Sequence, residues 1–132
     1  MVGFRRLATV QSLSPDLPAI REFSGRYGLI GVVPFCLETV DPGADLHMRA
    51  FAPFVAIDED PVCGVGNGSA GAYIGMHRLV DFGDEVDLVS EAGIEVRRPG
   101  KVFISLRREG GEISRVRVGG SAVTVLEGTM RI

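Results

Sequence analysis

The chain has 132 residues, enough for one domain with its own core and too few for two domains of ordinary size. Hydrophobic residues make up 45% and charged residues 23%, which excludes wholesale disorder, and a net charge of −3 argues against a nucleic-acid surface. The two cysteines, Cys36 and Cys63, give neither a disulfide framework nor a zinc spacing, and no apolar run suits a signal peptide or a bilayer span. The expectation is a soluble, cytoplasmic protein that binds neither nucleic acid nor membrane.

In chain order, the partial alternation of Phe4 to Leu13 predicts a first strand. Ser14-Pro15-Asp16 supplies an N-cap with proline at the first helical position, and Leu17, Ile20, Phe23 or Ser24, and Tyr27 recur at the spacing of an amphipathic helix. Gly25 and Gly28 weaken its end. Leu29 to Leu37 then predicts a buried strand, with Pro34 marking an edge or a bulge and Cys36 a small core residue. After the turn Asp41-Pro42-Gly43, Leu46 to Phe51 predicts another strand. His47 on it reads either as a hydrogen-bonded or surface residue or as a catalyst, and His77 has a weaker case. Asn67 to Val80 predicts a buried helix ending at Asp81-Phe82-Gly83; several glycines in one helix imply close packing inside a sheet. Strands follow at Val86–Val89, Lys101–Arg107, Ile113–Val118 and Ala122–Leu126, separated by glycine-rich turns, and Thr129–Ile132 adds one more. The acids Asp81, Asp84, Glu85, Asp87, Glu91 and Glu95 read as a solvated strand and its turns. The fold class is α+β: a curved, barrel-like, mostly antiparallel sheet around a central helix, with one outer helix.

The stretch from Glu59 to Tyr73 carries the chemistry. Acids come first, then Pro61, then a glycine-rich turn feeding the predicted helix. The backbone N–H groups of Gly64, Val65, Gly66 and Asn67 would hold an anion, such as a small carboxylate. Asp60 can exchange protons, and Cys63 would sit where the helix dipole lowers a thiol pKa. The plainer reading is that Asp60 or Asp58 caps the helix and that Cys63 is an unreactive small residue.

This arrangement resembles the second lobe of the diaminopimelate-epimerase fold, and most closely the PhzF-like isomerases named after phenazine biosynthesis. Arg49-Ala50-Phe51-Ala52-Pro53 is similar to the family's Arg-x-Phe-Ala-Pro, and Glu59-Asp60-Pro61-Val62 to its Glu-Asp-Pro-Val-Thr-Gly. Gly93-Ile94-Glu95-Val96-Arg97-Arg98-Pro99 resembles a segment with glycine before Arg-Pro, so Arg97 stands where the family usually has glycine. The resemblance implies one domain over residues 1–132, corresponding to the C-terminal lobe, with the N-terminal lobe and its glutamate base absent. It implies that Asp60 is this lobe's acid/base and that no metal or cofactor is needed. Cys63-Gly64-Val65-Gly66 resembles the Ala-Cys-Gly-Thr-Gly signature of diaminopimelate epimerase, whose thiol is catalytic, although Val65 departs from both relatives. The expected function is proton transfer on a small carboxylate by a homodimer that rebuilds the cleft. The alternatives are a non-catalytic carboxylate-binding or interaction module, or a subunit completed by a separate N-terminal lobe.

Overall fold

In the computed structural model, which describes residues 1–131, six strands form one sheet in chain order. They are β1 (Val2–Gly3), β2 (Pro34–Cys36), β3 (Leu46–Met48), β4 (Glu85–Ala92), β5 (Gly100–Glu109) and β6 (Glu112–Gly119). The pairs β2–β3, β4–β5 and β5–β6 are antiparallel, while β1–β2 and β3–β4 are parallel. Register follows the alternation in the sequence. Leu88 stands opposite Ile104 and Ile104 opposite Val118, and Val86 pairs with Leu106 and Leu106 with Val116, so one apolar face is continuous across three strands. That face curls around the helix α3 (Gly64–Met76). Phe35, Leu46, Met48, Ala70, Ile74, Ile104 and Leu106 form the core between them.

The glycines of α3 are there because the sheet lies against its backbone. A Cβ on Gly71 would come within 2.6 Å of the Ile104 side chain, and one on Gly75 within 2.5 Å of Ile113. The helix begins at Gly64, three residues before the expected Asn67, and ends at Met76 rather than Val80.

The first half of the chain departs further from expectation. Phe4 to Leu13 is not a strand: after the short β1 it turns into the helix α1 (Leu7–Gln11). Five residues fit either period, and the distant Glu38 decides between them. Its carboxylate accepts from the Leu7 N–H at 2.8 Å and from Arg6 at 3.1 Å, holding the start of the helix. The predicted amphipathic helix is α2 (Leu17–Tyr27), capped by Asp16 rather than Ser14, with Asp16 Oδ1 accepting from the Ala19 N–H at 2.9 Å. It is the outer helix and leans on a 3₁₀ turn at Pro53–Val55, so Phe23 and Tyr27 stay exposed. The strand expected over Leu29–Leu37 shrinks to β2, which starts at Pro34, and the one over Leu46–Phe51 shrinks to β3. Asp87 and Ser105 face solvent with Arg107 and Arg117, as expected of a solvated strand, whereas Glu91 and Glu95 turn inward toward His47. Residues 120–131 form no strand, because no neighbouring strand lies beside Ala122–Leu126; the last residue of the expected Thr129–Ile132 strand, Ile132, lies outside the described residues.

Candidate functional site

The loop between the 3₁₀ turn and α3 carries Asp60 and Cys63 together. The Asp60 N–H donates to the Ala50 carbonyl at 2.9 Å, which ties the loop to the end of β3. Asp60 Oδ1 accepts from the Val62 N–H at 3.1 Å, so the carboxylate closes its own turn. Neither Asp58 nor Asp60 caps the helix. Cys63 is the N-cap residue, its Sγ accepting from the Gly66 N–H at 3.2 Å. The Cys63 carbonyl receives both the Asn67 N–H at 3.0 Å and the Asn67 side-chain amide at 2.8 Å. Of the four expected anion donors, Gly66 and Asn67 are thus engaged within the cap. The Val65 N–H also points at the Cys63 sulfur, and the Gly64 N–H has no partner among the described residues.

Asp60, Cys63, Val65 and Gly66 line one cleft of about 510 Å³, walled on the far side by Leu29 and Ile30. Val65 is 71% exposed at its mouth. A side chain that departs from the hydroxyl or amide of the family's relatives therefore gives the cleft an apolar lip. The expected lowering of the Cys63 pKa does not occur. Burial pushes the thiol up; the Gly66 N–H works against this, and the nearby Asp60 carboxylate adds to the rise. Desolvation outweighs the helix terminus here. Iodoacetamide should therefore modify Cys63 slowly at neutral pH, with a rate that climbs only above the usual thiol range. Asp60→Asn, which removes the neighbouring negative charge, should move that profile to lower pH. An unchanged profile in Asp60→Asn would show that the two groups do not interact.

Two buried polar clusters that the sequence did not reveal hold this loop and the sheet beneath it. Arg49, only 7% exposed, makes a bidentate ion pair with Glu59, Nε to Oε1 and Nη2 to Oε2 at 2.8 Å each. Its Nη1 donates to the carbonyls of Leu13 at 2.8 Å and Val10 at 3.3 Å, and its guanidinium stacks 4.8 Å from the Phe51 ring. Glu59 keeps the guanidinium even more firmly protonated than usual. One side chain thus fastens the end of α1, β3 and the residue preceding Asp60. The second cluster centres on His47, which is fully buried and bonded rather than placed in the cleft. Nδ1 lies 2.8 Å from Glu91 and Nε2 lies 3.1 Å from Glu95. Each contact requires a proton between nitrogen and oxygen. Glu91 also accepts the N–H groups of Val40 and Asp41 at 2.6 and 2.9 Å.

Gly93 braces the loop from below. It sits at φ +76°, where a Cβ would come within 2.7 Å of the Pro61 carbonyl and 2.3 Å of the Arg98 carbonyl. The same turn holds Arg97 at φ +57°, a left-handed conformation that glycine would adopt without strain. These two positive angles, four residues apart, lie in the β4–β5 turn, which packs against Pro61.

This geometry has counterparts in known proteins. An uncharacterized isomerase of Clostridium acetobutylicum is 30% identical over 128 residues, which is 96% of this chain and 42% of that protein. Trans-2,3-dihydro-3-hydroxyanthranilate isomerase of Pseudomonas aeruginosa is 26% identical over 96% of this chain and 42% of its own length. The crystal structure of a Bacillus anthracis phenazine biosynthesis protein of the PhzF family superposes with a TM-score of 0.80 at 26% identity, covering 98% of this chain and 44% of that one. The chain therefore spans less than half the length of the relatives it matches, and over that span it has their fold. The sequence model described as phenazine biosynthesis-like protein matches residues 1–128, and the chain belongs to that PhzC-PhzF family.

Proposed function

We propose that this chain is one lobe of a cofactor-independent isomerase that moves a proton on a small carboxylate, with two copies facing each other to form the working cleft. The supporting observation is that Asp60 and Cys63 line the same cleft at the start of α3, beside the N–H groups of the helix's first turn. In this reading those N–H groups hold the substrate carboxylate while Asp60 takes a proton from carbon or returns it. Cys63 is the second proton carrier, and Gly66 and Asn67 keep the turn in shape through the cap. The relatives named as isomerases support this class of chemistry, and trans-2,3-dihydro-3-hydroxyanthranilate is the first carboxylate to try.

A second reading has its own support. The Cys63 thiol is held protonated by burial and serves as a helix cap, which suits a binding module more than a proton carrier. A third partner arrangement, completion by a separate N-terminal lobe, follows from the 42% coverage of the relatives. Proton NMR in deuterium oxide separates these. Catalysis predicts deuterium incorporation at a substrate carbon, lost by at least about a hundredfold in Asp60→Asn and in Cys63→Ala. Saturable binding of the carboxylate without exchange would select the binding module, and exchange that appears only on adding a separately produced first lobe would select the third.

A further inference from the structure

Apolar side chains that the folded chain leaves uncovered collect around the cleft at the start of α3. Leu29, Ile30, Val55, Ile57 and Val65 all line it, each between 41% and 71% exposed. Their backbone is pinned on both walls. On one wall, Val32 and Phe51 exchange N–H···O bonds at 2.8 and 2.9 Å, and a Cβ on Gly31 would stand 2.1 Å from the Phe51 carbonyl oxygen. The Leu29 N–H donates to the Ser24 carbonyl at 2.8 Å, closing the end of α2 through Gly28 at φ +63°. On the other wall, Ala52 and Ile57 exchange N–H···O bonds at 3.1 and 3.2 Å, which sets Val55 and Ile57. The walls are therefore preformed, and polar side chains reach the cleft only at its α3 end, from Asp60, Cys63 and Ser69. No lysine or arginine side chain lines it among the described residues, which disfavours a polyanion such as a phosphate ester.

We infer that the ligand of this cleft is a small carboxylate with an apolar body, an alkyl or aryl group that lies between the Leu29–Ile30 and Val55–Ile57 walls. The carboxylate end rests on the proton-transfer reading above, and the body rests on the walls alone. These wall side chains carry no hydrogen-bonding atom, so a hydroxyl or amine set against them would give up its water without a partner. The volume of about 510 Å³ falls in the range of small-molecule sites, and the cleft is concave where a protein partner would need a broad patch. Val65 sets the preference at the mouth. It stands where the resemblance places a hydroxyl or an amide, so this chain favours a less polar carboxylate than a site with those groups would.

The test is an NMR titration of the full chain, with amide and methyl labels, by butanoate, hexanoate and octanoate, with octan-1-ol as the uncharged comparison. The inference predicts a dissociation constant that falls about threefold for each methylene added. It predicts that the Gly64 amide and the Ile30, Ile57 and Val65 methyls shift together. The side chains changed in Ile30→Ser/Ile57→Ser are half exposed in the free protein, so the melting temperature should change little. That variant should flatten the series to less than about 1.5-fold per methylene. Val65→Thr keeps the shape and adds a hydroxyl, and should weaken octanoate about fivefold while leaving butanoate nearly unchanged. An affinity independent of chain length, with the Gly64 amide still shifting, would overturn the apolar body and leave the carboxylate reading in place. Octan-1-ol binding as tightly as octanoate, with the Gly64 amide unmoved, would overturn both. Wall methyls that contact a second copy before any carboxylate is added would overturn the inference as well, because the walls would then be an interface.

Discussion

Arg49→Met is expected to destabilise the protein by about 3–5 kcal/mol, the largest effect of any single polar substitution here, because it strands a buried carboxylate. Glu59 would keep its desolvated position, only 12% of its side chain being exposed, with no cation beside it. The carbonyls of Val10 and Leu13 would lose their donor at the same time. The pair itself is not the source of the whole loss. Removing both charges in Arg49→Met/Glu59→Leu should recover much of the stability, since a buried ion pair exchanged for apolar side chains of similar size is close to neutral. Urea unfolding of the two single variants and the double variant gives the coupling directly. A cost below about 1 kcal/mol for Arg49→Met would mean that water reaches the pair.

Gly93→Ala is the second. Its backbone cost is about 1–2 kcal/mol for placing an L-residue in the left-handed region. The new methyl must also enter space held by two main-chain carbonyls, 2.3 and 2.7 Å away, that cannot rotate aside like side chains. Overpacking of this kind adds about 1–3 kcal/mol, so about 3 kcal/mol in total is expected from thermal or urea unfolding. Gly110→Ala is the control. It has φ +60° with nothing within 4 Å of the added Cβ, so it carries only the backbone part. Equal losses at the two sites would show that the β4–β5 turn yields without moving Pro61. With Pro61 displaced, the Asp60 to Ala50 bond lengthens, and the pH profile of Cys63 should shift in Gly93→Ala but not in Gly110→Ala.

What the sequence disclosed was what depends on near neighbours. The alternation of Ile104, Leu106, Val116 and Val118 placed two strands and their buried face, and the glycines of α3 announced the close approach of a sheet. The acid-proline-glycine order of residues 59–66 located the loop at the start of the helix. Concealed features turn on partners far away in sequence. α1 looked like a strand because five residues fit both periods, and the choice is made by Glu38, 31 residues distant from Leu7. His47 was legible as bonded or catalytic but not which, since Glu91 joins it across 44 residues. The direction of the Cys63 shift was misjudged for a related reason: a helix N-terminus is visible in sequence, whereas the burial that outweighs it is a property of the folded cleft. The tail was expected to add strands and adds none among the described residues, because a period cannot supply a neighbour.

The parallel pairing of β3 with β4 has a consequence for how the protein folds. Parallel strands cannot be joined by a hairpin, so the chain between Met48 and Glu85 must leave the sheet and return before Leu46 meets Ser90. That excursion contains Arg49, Glu59, Asp60, Cys63 and all of α3. The hairpins β4–β5 and β5–β6 close short loops and can form early, but this ladder waits on a long-range closure with its larger entropic cost. The C-terminal meander is therefore expected to gain amide protection in pulsed hydrogen exchange before β3 and the loop that carries Asp60 and Cys63.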